Sequence, residues 1–186
     1  MKIGIDCDGV LRDLIGGIKA SIKKHHPDKY KELKEPNCWE FTQWIPFWSK
    51  TFCDNYIFKR YCKEIFGMSE PYKDALDSWL DLCVWADKDD YKLILVSNQR
   101  DNCIGLTNLW LYKNGFDFKE IHYTKDKWNT DIDMLIDDSP AKLKAFKEKS
   151  ITFGTPICFK RPWNKSVQDD YICIDSLLDI KRIMDE

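Results

Sequence analysis

Asp6 and Asp8 stand one residue apart where the apolar run Ile3-Gly4-Ile5 ends, and Gly9 follows at once. A carboxylate fixed at a strand end can attack phosphorus and form an aspartyl-phosphate, an established route of covalent catalysis. A second carboxylate two residues on can protonate the leaving oxygen and then activate water. Strand alternation alone would turn neighbouring side chains apart, so a loop after Asp6, with Gly9 permitting a sharp turn, must bring Asp8 back over the site. A second apolar run, Met134-Leu135-Ile136, ends in Asp137-Asp138. Two such runs side by side build one carboxylate cluster from distant sequence. Mg²⁺ suits it, because that ion binds through one or two carboxylates plus substrate phosphate. A cation also relieves the repulsion between an anionic nucleophile and a phosphoryl group. The expected metal set is Asp6, Asp8, Asp137 and Asp138, with Asp137 the principal ligand of the second pair and Asp138 its support.

Phosphate chemistry needs two further parts. A hydroxyl or amide at a strand end should hold phosphoryl oxygens, and Ser97 and Asn98 close the apolar run Leu93-Ile94-Leu95-Val96. A lysine should neutralise phosphoryl charge as a point cation. Lys125 and Lys127 follow one expected strand and precede the Asp137 strand, so either reaches in.

These residues need a sheet edge to meet on. The chain reads as strands at 2–6, 93–97, 118–123, 134–136, 151–159 and 171–174. Helices are expected over 74–86, over 103–114 with Gly115 as a glycine stop, and over 140–149. In the last, Ser139 serves as N-cap and Pro140 stands in the first turn. Asp175 caps a final helix to about Met184. Strands alternating with helices predict an α/β fold, a doubly wound parallel sheet whose ligands lie outside the carboxyl ends of the strands. Residues 15–71 break the alternation. They read as a small helical cap inserted after strand 1, leaving 1–14 and 72–186 as the core domain.

The cap holds Trp39, Phe41, Trp44, Phe47, Trp48, Phe52, Tyr56 and Phe58. Most are expected to form the cap's own core, since a small unit needs bulky aromatics to stabilise itself. Phe47 and Trp48 are the residues expected to stack on a nucleobase. The lysine-rich stretch from Lys19 to Lys34 reads as a solvated helix face. Arg12, Asp13 and Arg100 are candidates for the pocket border, and His25, His26 and His122 form no ligand set.

Composition excludes several classes. The chain has 186 residues with 44% hydrophobic content and 8 tryptophans, which indicates a folded domain. A net charge of −2 gives no global field toward nucleic acid or membrane. No apolar run approaches the roughly 20 residues of a membrane span, and the N-terminus reads as having no signal peptide. The 8 cysteines are scattered without metal spacing, which points to reduced thiols and a cytoplasmic location.

Taken in order, Asp6-Cys7-Asp8-Gly9-Val10-Leu11, Val96-Ser97-Asn98, Thr124-Lys125-Asp126-Lys127 and Leu135-Ile136-Asp137-Asp138 resemble the four motifs of the haloacid dehalogenase superfamily of phosphohydrolases. The resemblance implies that Asp6 is the nucleophile and Asp8 the acid/base, with the Asp8 carbonyl on Mg²⁺. Within the superfamily the chain looks most like the 5′(3′)-deoxyribonucleotidase group. That likeness rests on Asp8 to Asp13, Phe47-Trp48, and Glu70-Pro71 leading into Ala75-Leu76. Three positions depart from the group's habit: Lys125 stands for an arginine, Ser97-Asn98-Gln99 for Thr-Ser-Pro, and Arg12 for a small residue. The expected activity is a Mg²⁺-dependent phosphomonoesterase, a 5′(3′)-nucleotidase acting on nucleoside monophosphates, with a homodimer compatible with the group. Two other readings stand beside it. One is a phosphatase for nucleic-acid 3′ ends or another small ester. The other is a catalytically silent nucleotide-binding sensor, against which the acid/base at Asp8 argues.

Overall fold

The computed structural model describes residues 1–185. Six parallel strands form one sheet: β1 (Lys2–Ile5), β2 (Lys92–Ser97), β3 (Glu120–Tyr123), β4 (Met134–Asp137), β5 (Thr155–Phe159) and β6 (Ile172–Ile174). Their spatial order is β3-β2-β1-β4-β5-β6. The chain winds outward from β1 to β3 on one side, then returns to start β4 on β1's other flank. Ile3 pairs with Met134 and Ile5 with Ile136 across that junction. The junction of β1 and β4 is therefore the switch point, where neighbouring strands lead away in opposite directions and ligands bind in such sheets.

The strands read as continuous apolar runs because helices cover both faces. Ile3, Ile5, Leu95 and Ile136 face one core, with Trp79 and Leu82 from α6 (Ala75–Lys88), Trp110 from α7 (Asp101–Lys113) and Ile180 from α9 (Asp179–Asp185). Ile94, Val96 and Leu135 face the other, with Phe146 from α8 (Pro140–Lys149). Gly4 sits where a Cβ would lie 2.5 Å from Ile132 Cδ1, so Ile132 packs close over β1 at that position.

Between β1 and α6 the chain forms short helices: α1 (Leu14–His25), α2 (Pro27–Tyr30), α3 (Phe41–Trp44), α4 (Lys50–Asn55), a π-helical turn at Tyr56–Arg60, and α5 (Cys62–Met68). They share a separate apolar cluster, with Ile18, Ile22, Trp44, Ile57, Ile65 and Phe66 buried together. Trp163 and Cys103 reach into that cluster from the sheet side.

The structure shifts three local expectations. The fifth strand begins at Thr155, not 151, because the chain turns sharply at Phe153, whose φ is 54°. Ser139 occupies the N-cap of α8, but its side chain makes no cap bond. Asp137 Oδ1 instead accepts from the Ser139 amide at 2.8 Å. The last helix starts at Asp179 rather than at Asp175. Asp179 Oδ2 accepts from the amides of Asp175 and Ser176 and so turns the chain into it.

Candidate active site

Asp6 follows β1 directly and is held there by backbone pairing, its amide donating to the Ile136 carbonyl at 3.0 Å. Gly9, at φ 81°, makes the turn that returns the chain. No side chain fits at position 9, where a Cβ would lie 1.9 Å from Asp138 Oδ2. Arg161 clamps the turn from outside. Its Nε donates to the Gly9 carbonyl at 2.6 Å, and its guanidinium lies 3.7 Å from the Tyr72 ring centroid.

Asp6, Asp137 and Asp138 bring one oxygen each within 4.8 Å of one another, all buried. Lys127, 1% exposed, bridges Asp6 Oδ1 at 3.0 Å and Asp137 Oδ2 at 2.6 Å. Its two anionic partners raise its pKa despite burial. One ammonium against three carboxylates leaves negative charge in excess, and buried charge is costly unless paired or bound to metal. The carboxyls respond accordingly. Burial pushes Asp6 up to about 6, against the pull of Lys127 and with the push of Asp137 and Asp8. Asp138 is raised well above the usual carboxylate range, first by burial and then by Asp137 and Asp6.

Asp138 holds a further sign. Its Oδ2 accepts from Trp163 Nε1 at 2.7 Å and its carbonyl from Asn164 Nδ2 at 2.9 Å, while buried Oδ1 has no partner. Both Asp137 oxygens, by contrast, are engaged, Oδ2 by Lys127 and Oδ1 by the Ser139 amide. The orphaned oxygen and the excess charge fit a hard divalent cation.

Asp8 does not join that cluster. Its Oδ1 accepts from Arg12 Nε at 2.7 Å and its Oδ2 from Gln99 Nε2 at 2.6 Å. Ser97, 1% exposed, ends β2 with its hydroxyl in reach of both Asp6 and Gln99 Nε2, the latter at 3.3 Å.

A cleft of about 340 Å³ opens over these groups. Asp6, Asp8, Ser97, Asn98, Lys127 and Asp138 form its floor, and Trp39, Phe41, Phe58 and Phe66 supply an aromatic wall. Arg100 also lines it, its guanidinium 3.8 Å from the Phe58 ring centroid and Nη2 3.3 Å from Asp54 Oδ2.

Several expected positions fall elsewhere. Phe47 and Trp48 do not line the cleft. Trp48 packs its ring 4.4 Å from Tyr56 and 4.7 Å from Phe52, within the aromatic cluster behind the wall. Lys125 is exposed and contributes only its carbonyl, which accepts from Lys142 Nζ at 2.5 Å. Lys142 is the second cleft lysine, its pKa lowered by burial and by Lys127. Its position in the first turn of α8, on the carboxyl edge, was the available signal. Arg12 lies beneath the site, fully buried. Asp13 caps α1, its Oδ1 accepting from the Gly16 amide at 2.8 Å. Nothing in the sequence pattern marked Trp163 or Asn164.

Residues 1–184 match the family described as 5′ nucleotidase, deoxy (pyrimidine), cytosolic type C protein. A protein of Chlorobaculum tepidum named "Putative 5′(3′)-deoxyribonucleotidase" is 20% identical over 173 residues, covering 90% of this chain and 82% of that one. Among solved structures, a haloacid dehalogenase-like protein of Agrobacterium tumefaciens superposes with a TM-score of 0.60 at 13% identity, covering 98% of this chain and 96% of that one. A Bacillus subtilis HAD-hydrolase solved with magnesium gives 0.59 at 11% identity, covering 100% and 98%. At these identities the likeness is one of fold.

Proposed function

Since the chain belongs to the 5′ nucleotidase, deoxy (pyrimidine), cytosolic type C family, hydrolases of the phosphatase and nucleotidase class, we propose that it is a Mg²⁺-dependent nucleoside monophosphatase that works through an aspartyl-phosphate on Asp6. One observation carries this reading. Asp6 lies on the floor of a cleft with Lys127 3.0 Å from its carboxylate and with Asp8, Ser97 and Asp138 around it.

Asp6 attacks the phosphorus, and the ester P–O bond breaks as Asp8 passes its proton to the leaving oxygen. Asp8 then takes a proton from water as that water attacks phosphorus and frees Asp6 with release of phosphate. Ser97 and Lys127 hold the phosphoryl oxygens, an electrostatic role that gains strength in a buried site. Asn98 lines the same cleft. Asp6, Asp137, Asp138 and the Asp8 carbonyl would hold Mg²⁺, which when bound supplies charge neutralisation of the phosphoryl group. Residues 15–71 act as a cap on a core made of 1–14 and 72–186. The aromatic wall of that cap receives base and sugar.

Phosphate release from 5′- and 3′-nucleoside monophosphates, a 3′-phosphorylated oligonucleotide and p-nitrophenyl phosphate tests the reading, with Mg²⁺ and with chelator. Release from mononucleotides that needs Mg²⁺ and is lost in Asp6→Asn is the expected result. Folded, Mg²⁺-loaded protein that releases phosphate from none of them overturns it.

A further inference from the structure

Arg12 is 0% exposed, yet its side chain ends against a residue that faces the cleft. Its Nε holds Asp8 Oδ1 at 2.7 Å, while Nη1 donates to the Phe66 carbonyl at 2.8 Å and to Thr107 Oγ1 at 3.2 Å, with Nη2 also 3.2 Å from Thr107 Oγ1. The Phe66 and Trp110 rings lie 5.0 and 5.2 Å from the guanidinium carbon. The rigid fork is thus fixed from every side before it reaches Asp8. A buried ion pair is a poor way to gain stability, since apolar residues of similar volume often serve as well. What this pair does provide is one orientation of the Asp8 carboxylate.

The other oxygen is also held. Gln99 Nε2 lies 2.6 Å from Asp8 Oδ2 and 3.3 Å from Ser97 Oγ, between the carboxylate and the hydroxyl at the end of β2. Arg12 and Gln99 are two of the positions at which the sequence departs from the group it resembles, and both converge on Asp8, one at each oxygen.

We infer that Arg12 and Gln99 are positioning residues for Asp8, and that Arg12 ties the carboxylate to the helical segment through the Phe66 carbonyl. This rests on the reading of Asp8 as the acid/base. Arg12 Nε occupies Oδ1, which leaves Oδ2 as the oxygen through which Asp8 would exchange a proton. Gln99 serves Oδ2 in either state, offering an N–H to the carboxylate or, turned over, a carbonyl to the acid. In the first half-reaction the Asp6–P bond forms and the ester P–O bond breaks. Its electron pair goes to the leaving oxygen, which takes the Oδ2 proton.

Leaving groups separate positioning from mere structure. A good leaving group departs without a proton, and a poor one needs it. Moreover, kcat/KM reports only steps through departure of the alcohol, so the later work of Asp8 on water does not enter. The test measures kcat/KM with Mg²⁺ on phosphate monoesters graded from p-nitrophenyl through phenyl to alkyl, for wild type, Arg12→Lys, Gln99→Leu and Thr107→Val. Displacing a reacting group by about an ångström can cost on the order of 100-fold. The alkyl ester should therefore lose about tenfold or more in Arg12→Lys and Gln99→Leu, and p-nitrophenyl phosphate less than about threefold. Thr107→Val, which touches only the guanidinium, should steepen the same dependence by less. Should Arg12→Lys fail to fold, the other two variants decide. Equal losses across the series, or no change, overturn the inference while the wild type remains a phosphatase. A wild type inactive on every ester of the series and on nucleoside monophosphates, which are themselves alkyl esters, instead overturns the proposed function, and this inference with it.

Discussion

Trp163 Nε1 donates to Asp138 Oδ2 at 2.7 Å, so the indole fixes one oxygen of that carboxylate while the other, Oδ1, stays buried without a partner beside Asp6 and Asp137. Groups that orient a metal ligand from behind typically matter about 10–100-fold to metal affinity. Trp163→Phe keeps the ring and removes the N–H. Calorimetric titration with Mg²⁺ alone should show affinity reduced about tenfold. Unchanged affinity would show that Asp138 needs no such guidance.

Lys127 is the only cation within bonding distance of Asp6 and Asp137 among the described residues. Removing one partner of a buried ion pair costs about 3–5 kcal/mol, because the other charge stays buried and uncompensated. Lys127→Met should lower stability by about that amount in urea denaturation without metal. Adding Asp137→Asn in the same chain should restore part of it. A fully additive double variant would mean that the two residues do not compensate each other.

Phe58 forms part of the aromatic wall and carries Arg100 on its face. Stacking of a base on an aromatic side chain is worth about 1–3 kcal/mol. Phe58→Ala should raise KM for a nucleoside monophosphate about 5- to 100-fold, with little effect on KM for methyl phosphate. Trp48→Leu makes the contrast. Its ring lies behind the wall, so melting temperature should fall while KM stays put. Equal changes in KM for both phosphates in Phe58→Ala would place the base elsewhere.

Burial pushes the Cys53 and Cys103 thiols up to about 11 and that of Cys158 to about 12. In the unfolded chain such thiols lose their protons near their ordinary value of about 8.5. Between about pH 9 and pH 11 the unfolded state thus binds fewer protons than the folded one, and stability falls as pH rises. Below about pH 8 both states keep the proton and these groups contribute no slope. Urea midpoints should fall with rising pH across the upper window, and Cys103→Ala should flatten the decline. A midpoint that holds steady from pH 8 to 11 would contradict the assignment.

Much of this was legible in the sequence because two simple patterns report it. Apolar runs that end in acids mark strands by their burial and their carboxyl ends by their chemistry, so Asp6 with Asp137-Asp138, and the sheet that joins them, could be read without coordinates. Ser97 followed from a strand end in the same way, while Lys127 was read only as one of two lysines, with Lys125, between two strands. The cleft wall could not, since an aromatic run in short helices carries no period that tells inward from outward rings. Trp39, Phe41 and Phe58 line the cleft, while Phe47 and Trp48 pack behind it, for reasons of tertiary packing alone. Arg12 was legible as an oddity and not as a partner, because Thr107 and Phe66, which fix it, are distant in sequence. Lys142 was hidden by its setting, one of several lysines on an otherwise ordinary helix.

β1 comes before the other described strands in sequence yet stands in the middle of the sheet, with Ile3 to Ile5 paired to Met134 to Ile136. Without β4 that edge of β1 has no strand to pair with. An open apolar edge of this kind invites pairing with another chain. The acidic cluster likewise needs Met134 to Asp138 in place beside β1. A truncated product that ends before β4 therefore keeps Asp6 and Asp8 but lacks the other two carboxylates of the buried cluster, and leaves an open strand edge of the kind that invites aggregation.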